Sequence, residues 1–503
     1  MSLLGIDVGT SAIKVVAFDE DTGATLASAR AEYLSDYPAP GRMELDPDRV
    51  WAGFVDAVRF VGASDAVHRD PVTALALSVS CDEVVPVDRA GRTLGPCIMA
   101  PDTRGADVMA KITDRISMAD LYRRSGLPLL PLYPLARILW YRKHQPETAR
   151  AAARYLGWGE FILTRLGLPA VTDETTAGRW LAYDVVAQGW MIDLLGQLSI
   201  TPAVLPAVAV AGKVIGALPD EASTMLGLRG KPVVVAGAFD QICAAVGAGL
   251  RAPGDVVVGT GTWENTTLLA AQPLGDVGLA RGATWGRYVS PGLYAVLVMN
   301  ANGGSVVRWF ADLFADPHTR TAMADRHDPS NLLPIVPQEQ PTRLLFLPHL
   351  QGSHAPWRDP DSKGALVGLT LATTRGEVFR ALLEGITYEL RLNLEGLARE
   401  VPIRPPIRNT GGGALSKAWV QLKADVLGVP VCSVEARETG CLGAAILAGV
   451  GSGAYPSVVA GQVRVCVTTA QVDPDPDRHR FYDDQFALYR ELYPTLRATL
   501  GAI

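Results

Sequence analysis

The chain has 503 residues, 48% hydrophobic and 19% charged, with a formal net charge of −6, and that length can bury two substantial cores. The negative balance, with no cluster of Lys and Arg, argues against nucleic acid as a principal partner, because binding a phosphate backbone rests on clustered cations. No apolar run reaches a membrane span and the first apolar run begins at Leu3 without a charged leader, so a cytoplasmic protein is expected, without a membrane partner.

The first predicted elements are an apolar strand from Leu3 to Val8, a Gly9-Thr10-Ser11 turn and a second apolar strand from Ala12 to Phe18. The first run is apolar on both faces except at Asp7, so one carboxylate sits beside the turn. Gly9 lets backbone approach a ligand, and the N–H groups around Thr10 and Ser11 can form an anion-holding nest. Asp7 would repel a bare phosphate, so a cation such as Mg2+ must lie between them. The alternative is an ordinary hairpin with a solvated Asp.

A polar stretch rich in Pro follows from Tyr37 to Pro47, and Trp51, Phe54, Val55 and Val58 then recur at helical spacing from near Asp48. The next strand, Ala74 to Val79, leads into Ser80-Cys81-Asp82-Glu83. Acids at a strand end suit hydroxyl recognition, since ligands of α/β sheets gather there, although a solvated loop fits equally. Asp102 and Arg104 either join that polyol pocket or pair with each other at the surface. From Ala106 to about Gly196 the pattern is mostly helical, and Thr172 to Asp184 shows no assignable chemistry.

The strand Pro232 to Ala236 runs through Gly237 into Asp240 and a helix of very small residues. Asp240 can aim a carboxylate into a cleft or simply cap its helix. A second small-residue helix, Gly440 to Gly449, matches the first, and the two can form a hinge between domains or plain core packing.

Asp255 to Leu269 repeats the strand, Gly-Thr turn, strand pattern of the N-terminus. Aligning Gly259 on Gly9 gives an offset of 250 residues (259 minus 9), half the chain, as two duplicated domains would leave. Asp7 then aligns with Val257, so one turn alone carries a carboxylate, which suggests a nucleotide clamped between domains. Gly411-Gly412-Gly413, after a short strand and before an amphipathic helix, offers flat backbone to a ribose or purine. Neither a Walker A nor a Rossmann fingerprint occurs at a strand-to-helix turn. The six cysteines form no C-x-x-C pair and read as small buried hydrophobes.

Asp7-Val8-Gly9-Thr10-Ser11, Asp240 within Gly-Ala-Phe-Asp-Gln-Ile-Cys-Ala-Ala-Val-Gly, Gly259-Thr260-Gly261, and Gly411-Gly412-Gly413-Ala414 with Trp419, Gln421 and Asp425 together resemble the FGGY carbohydrate kinase family. The resemblance implies two duplicated ribonuclease-H-like domains of the actin-like ATPase superfamily, each a mixed sheet flanked by helices, over residues 1–249 and 250–503. The last helix, around Tyr482 to Tyr493, has the option of packing back on the first domain.

It further implies ATP and Mg2+, with Asp7 on the metal side. Gly9, Thr10, Ser11 and Lys14, and Gly259, Thr260, Gly261 and Thr262, would serve the phosphates, and Gly411, Gly412, Gly413 and Ala414 the adenosine. Asp240 corresponds to the base, with Asp82, Glu83, Asp102 and Gln241 beside it on the acceptor. Asp7 and Asp240 are expected to face each other across one crevice between lobes. A homodimer is a further option.

The acceptor pattern departs from the family. Xylulokinases carry Met-His and glycerol kinases Arg-Glu where this chain has Cys81-Asp82; the Trp of W-x-D-x-R is Ala100; and Gly352-Ser353-His354-Ala355-Pro356 replaces Gly-Glu-Arg-x-Pro. An acidic pocket of Asp82, Glu83 and Asp240 favours a small neutral sugar or polyol, xylulose first. Other readings are an ATPase of the same fold that uses no sugar, or a catalytically silent sugar sensor.

Overall fold

The computed structural model describes residues 1–314 and 340–503. Two six-stranded mixed sheets dominate it. In the first, the antiparallel strands Ser2–Val8, Ala12–Asp19 and Thr25–Glu32 are followed, on the far side of Ser2–Val8, by the parallel strands Val72–Val79 and Val233–Phe239. In the second, Val256–Thr260, Glu264–Ala270 and Tyr294–Asn300 are antiparallel, with Ile407–Gly411 and Val431–Ser433 parallel on the far side. The strand order is therefore the same in both, and the duplication read from the Gly-Thr turns is a duplication of topology. Val214–Ala217 and Thr284–Arg287 add one further edge strand to each.

Strands buried on both faces need continuous apolar residues, and Leu3, Leu4, Ile6 and Val8 are at most 1% exposed. The helix Pro47–Gly62, capped by Asp46, lays Val50, Phe54, Val58 and Val61 on one face of the first sheet. On the other face lie the two small-residue helices, Asp240–Gly247 and Thr439–Ser452. A Cβ on Gly443 would overlap the Cys243 carbonyl, and one on Gly247 the Thr439 carbonyl, so the helices touch backbone to backbone. Thr439–Ser452 also packs on Ser2–Val8, where a Cβ on Gly5 would strike the Cys441 carbonyl. This pair is thus core packing against the first sheet, with one helix lent by the second half of the chain.

The stretch from 106 to 196 is mainly helical as expected, but four short strands, Arg154–Leu156, Val171–Asp173, Tyr183–Asp184 and Gly189–Trp190, interrupt it. The last long helix, Pro476–Leu500, packs within the second half: Tyr482 and Tyr489 bond Glu384 and Glu389 of the helix Arg375–Leu397. Among the described residues no helix is long and apolar enough to cross a membrane.

Candidate active site

Ser2–Val8, Val72–Val79 and Val233–Phe239 run parallel side by side, so their carboxyl ends form one ledge. Asp7 is in register with Ser78, Ser78 with Ala238, and Asp240 opens the next helix two residues later. Asp7 and Asp240 therefore share one wall of the first lobe. They do not face each other across the two lobes, as the sequence led us to expect, because strand Val72–Val79 inserts between their strands and brings both to the same edge.

Asp240 is not a helix cap. Phe239 occupies that position, and Asp240 Oδ1 is buried with no hydrogen-bond partner. Burial, then the charge of Asp7, pushes its pKa up to about 7. Its backbone is anchored from an adjacent segment: Phe239 N–H donates to Thr175 Oγ1 at 2.9 Å, and that hydroxyl donates to Asp173 Oδ1 at 2.5 Å.

Asp7 accepts from Ser78 Oγ at 2.7 Å. Burial raises its pKa, with the charge of Lys14 opposing. Lys14, opposite Asp7 on the neighbouring strand, is engaged elsewhere, its Nζ 2.6 Å from Glu438 Oε2. The Gly9 and Ser11 carbonyls are taken by the Tyr33 hydroxyl and amide, which leaves Thr10 and Ser11 exposed on the ledge. Two buried, mutually repelling carboxylates with one incompletely compensated edge fit a hard cation with oxygen ligands. No group of three or more His, Cys, Asp or Glu able to hold a metal occurs among the described residues, so Asp7 would act with water and phosphate oxygens.

On the acceptor side Asp82 pairs with Arg179, Nη2 to Oδ2 at 3.0 Å, and that guanidinium lies 5.2 Å from the Tyr133 ring and 5.1 Å from the Phe239 ring. Glu83 is fully buried, with no partner for either oxygen; burial and then Asp82 push its pKa up to about 8, so it is neutral at pH 7. Asp102 does pair with Arg104, but in the interior: their side chains are 0% and 5% exposed, and Asp102 also accepts from the Met43 amide. Asp102 has no free face to offer an acceptor, because both oxygens already hold protein donors. Gln241 is half-buried next to Asp240.

The second lobe presents a different turn. Gly261 and Thr262 are exposed, and their carbonyls accept from the Gly304 and Ser305 amides at the start of the helix Gly304–Phe314. Thr260 is buried: its hydroxyl donates to Glu264 at 2.9 Å and accepts from Lys423 Nζ at 2.7 Å, and Lys423 lies 3.0 Å from Glu264. Gly411, with φ of 75°, passes close over Thr260, where a Cβ would sit 2.7 Å from the Thr260 carbonyl. Gly412 and Gly413 are buried and Gly413 packs on Thr260, so Gly411 and half-buried Ala414 form the open part of that loop.

Residues 2–247 match the N-terminal domain, and residues 256–452 the C-terminal domain, of the FGGY family of carbohydrate kinases. The chain belongs to this family. It is an ATP-dependent sugar kinase, with a small-molecule sugar substrate. A gluconokinase of Bacillus subtilis is 27% identical over 497 residues, covering 98% of this kinase and 94% of its own chain. A glycerol kinase of Leptothrix cholodnii is 30% identical over 471 residues, covering 90% and 91%. The crystal structure of a ligand-bound xylulose kinase from Lactobacillus acidophilus superimposes with a TM-score of 0.88 at 25% identity, covering 100% of this kinase and 99% of that chain. The fold is that of the two-domain sugar kinases with actin-like ATPase architecture.

Sequence reasoning missed Asp173, Thr175 and Arg179, all within the stretch left without chemistry, and the buried pair Lys423–Glu264. The available signal was a lone Arg among Gly178, Trp180, Leu181 and Ala182, and an Asp-x-Thr-Thr run directly before it.

Proposed function

We propose that the kinase transfers the γ-phosphoryl group of ATP in line to a hydroxyl of a small polyhydroxylated acceptor, with Asp240 as the base. The observation that carries this is the Asp240 carboxylate, with one buried oxygen that has no hydrogen-bond partner, on the same ledge as Asp7 and the Gly9–Ser11 turn. In this reading residues 1–249 form the acceptor side and residues 250–503 the nucleotide side, with helix Thr439–Ser452 completing the first lobe. Asp7 holds the metal side of the nucleotide, Thr10, Ser11 and Thr262 offer backbone N–H groups to its phosphates, Gly261 shapes the turn with its own N–H bonded to the Trp263 carbonyl, and Gly411 and Ala414 border the adenosine. Asp7 would hold Mg2+, which would supply charge neutralisation for the phosphates.

Phosphoryl transfer depends on alignment and charge stabilisation, so Asp240 orients the acceptor hydroxyl and takes its proton late. Asp82, held by Arg179, offers oxygens to acceptor hydroxyls beside it. The pairing of Asp82 and the neutrality of Glu83 remove most of the negative charge that favoured a neutral ketopentose, so xylulose, gluconate and glycerol stand level as acceptors on that ground.

A coupled ADP-release assay against pentuloses, alditols, glycerol and aldonates tests the reading. The expected result is turnover stimulated by one acceptor class. Constant ATP hydrolysis whatever is added would select the sugar-independent ATPase, and nucleotide binding without any turnover the silent sensor.

A further inference from the structure

Arg358 stands on the loop where the chain departs from the family pattern, and its surroundings are built. Its backbone is in the left-handed region, with φ of 51°, unusual for a residue with a long side chain. Its amide donates to the His354 carbonyl at 2.6 Å, and its Nη2 donates to the Gly282 carbonyl at 2.7 Å. Gly282, with φ of 69°, lies flat beneath the guanidinium, and a Cβ there would sit 2.6 Å from Arg358 Nε. The side chain is thus seated at a fixed place and half-buried.

The Gly282 carbonyl that holds it is next in the chain to the Ala283 carbonyl, which accepts from the Tyr122 hydroxyl at 3.0 Å; Tyr122 and Tyr133, whose phenols act electrostatically on Arg358, belong to the first lobe, while Arg358 comes from the second. Tyr133 is the ring on which Arg179 lies, and Arg179 holds Asp82. Arg358 therefore reaches across to the acceptor side. No carboxylate of the described residues pairs with it. Of the two guanidiniums, Arg179 is paired with Asp82, whereas Arg358 holds only the Gly282 carbonyl.

We infer that Arg358 receives a carboxylate of the acceptor, so that the phosphorylated hydroxyl is carried by a polyhydroxy acid. The inference rests on the kinase reading above. A partly desolvated cation with only a carbonyl partner is a standing cost that an anion removes, and a carboxylate matches the guanidinium fork. Hydroxyls of a neutral sugar cannot supply that charge. The other carboxylates do not oppose it strongly, since Asp82 is paired and Glu83 is neutral at pH 7. The nucleotide phosphates are served by the Gly259–Thr262 turn, next to which Trp263 contacts His354 with ring centroids 5.5 Å apart. Arg358, four residues beyond His354, interacts electrostatically with the tyrosines of the first lobe.

The test compares D-gluconate with D-glucitol, and D-xylonate with xylitol, pairs that differ at the carboxylate. Equilibrium binding is measured by calorimetry without ATP, and kcat and KM by ADP release, for the native enzyme, Arg358→Gln and Arg358→Lys. The native enzyme is expected to favour an aldonate over its alditol by about 10- to 100-fold in Kd and KM, the range for a hydrogen-bonded ion pair. Arg358→Gln erases that preference with little change in Tm, and Arg358→Lys restores part of it.

Equal or tighter binding of the alditols, absence of aldonate binding, or an equal loss for both partners in Arg358→Gln overturns the inference. So does a rise in the KM for ATP with the acceptor preference intact, which would move Arg358 to the phosphates. Aldonate binding without ATP-dependent product would instead overturn the kinase reading and leave the carboxylate site standing. Turnover with neutral sugars alone would do the reverse.

Discussion

The hairpin around Gly9 and the hairpin around Gly259 occupy the same place in two sheets that share the order of five strands and differ only in which edge carries the sixth, yet their surroundings are opposite. Beside the first, Asp7 and Asp240 stand at strand ends with an unpartnered oxygen on Asp240 and an incompletely compensated charge on Asp7. Beside the second, the position equivalent to Asp7 is Val257, and the acid at the turn, Glu264, is 2% exposed and tied to Lys423 and Thr260. The first lobe keeps its carboxylates available to ligands, and the second spends its charge on fixing a loop. Duplication of a fold thus leaves the chemistry free to concentrate on one copy.

The strongest way to break this contrast is at Asp240. Asp240→Asn is expected to lower kcat on the order of 10²–10⁴, the range for losing a general base, and a variant with native kcat would remove Asp240 from the reaction. At the second lobe the damage should be to stability. Lys423→Met strands Glu264 as a buried unpaired charge, at about 3–5 kcal/mol, and chemical denaturation should show it. The double variant Lys423→Met, Glu264→Leu should recover most of that loss while raising the KM for ATP, because Thr260 loses its fixed partners.

The pH dependence sharpens the same contrast. Asp240 has a raised pKa near 7, so it is protonated, and inactive as a base, below that value. The acceptor kcat/KM should fall about tenfold per pH unit below 7 and level off above it. A profile flat from pH 5 to 8 would contradict the assignment. The smallest effects come from the two equivalent threonines. Thr260→Val should cost about 1–3 kcal/mol by leaving Lys423 and Glu264 short of a partner. Thr10→Val, at an exposed turn, should stay within about 0.5 kcal/mol in the same denaturation assay.

Much of this was legible in the chain. Apolar runs with a Gly-Thr turn specify a hairpin locally, and repetition at 250 residues revealed the second sheet. Asp240 was visible because a lone acid between a buried strand and a small-residue helix has few other uses. What could not be read was tertiary pairing. Asp82 and its partner Arg179 are 97 residues apart, and nothing in either neighbourhood specifies the other. The placement of Asp7 and Asp240 on one wall depends on strand order, which hydrophobic pattern does not encode. Asp102 and Arg104 were correctly seen as a possible pair, but their burial follows from Glu44 and Met43 closing over them from another segment.

The most direct test of the central claim, that two carboxylates on one ledge divide the work, is to measure Mg-ADP affinity and kcat together in Asp7→Asn and Asp240→Asn. The account predicts that Asp7→Asn weakens Mg-ADP binding by about tenfold or more, as loss of a charged contact should. Asp240→Asn should hold that affinity within about twofold while losing kcat. If both variants lost nucleotide affinity equally, or if Asp7→Asn kept native metal dependence, the division of roles would be wrong.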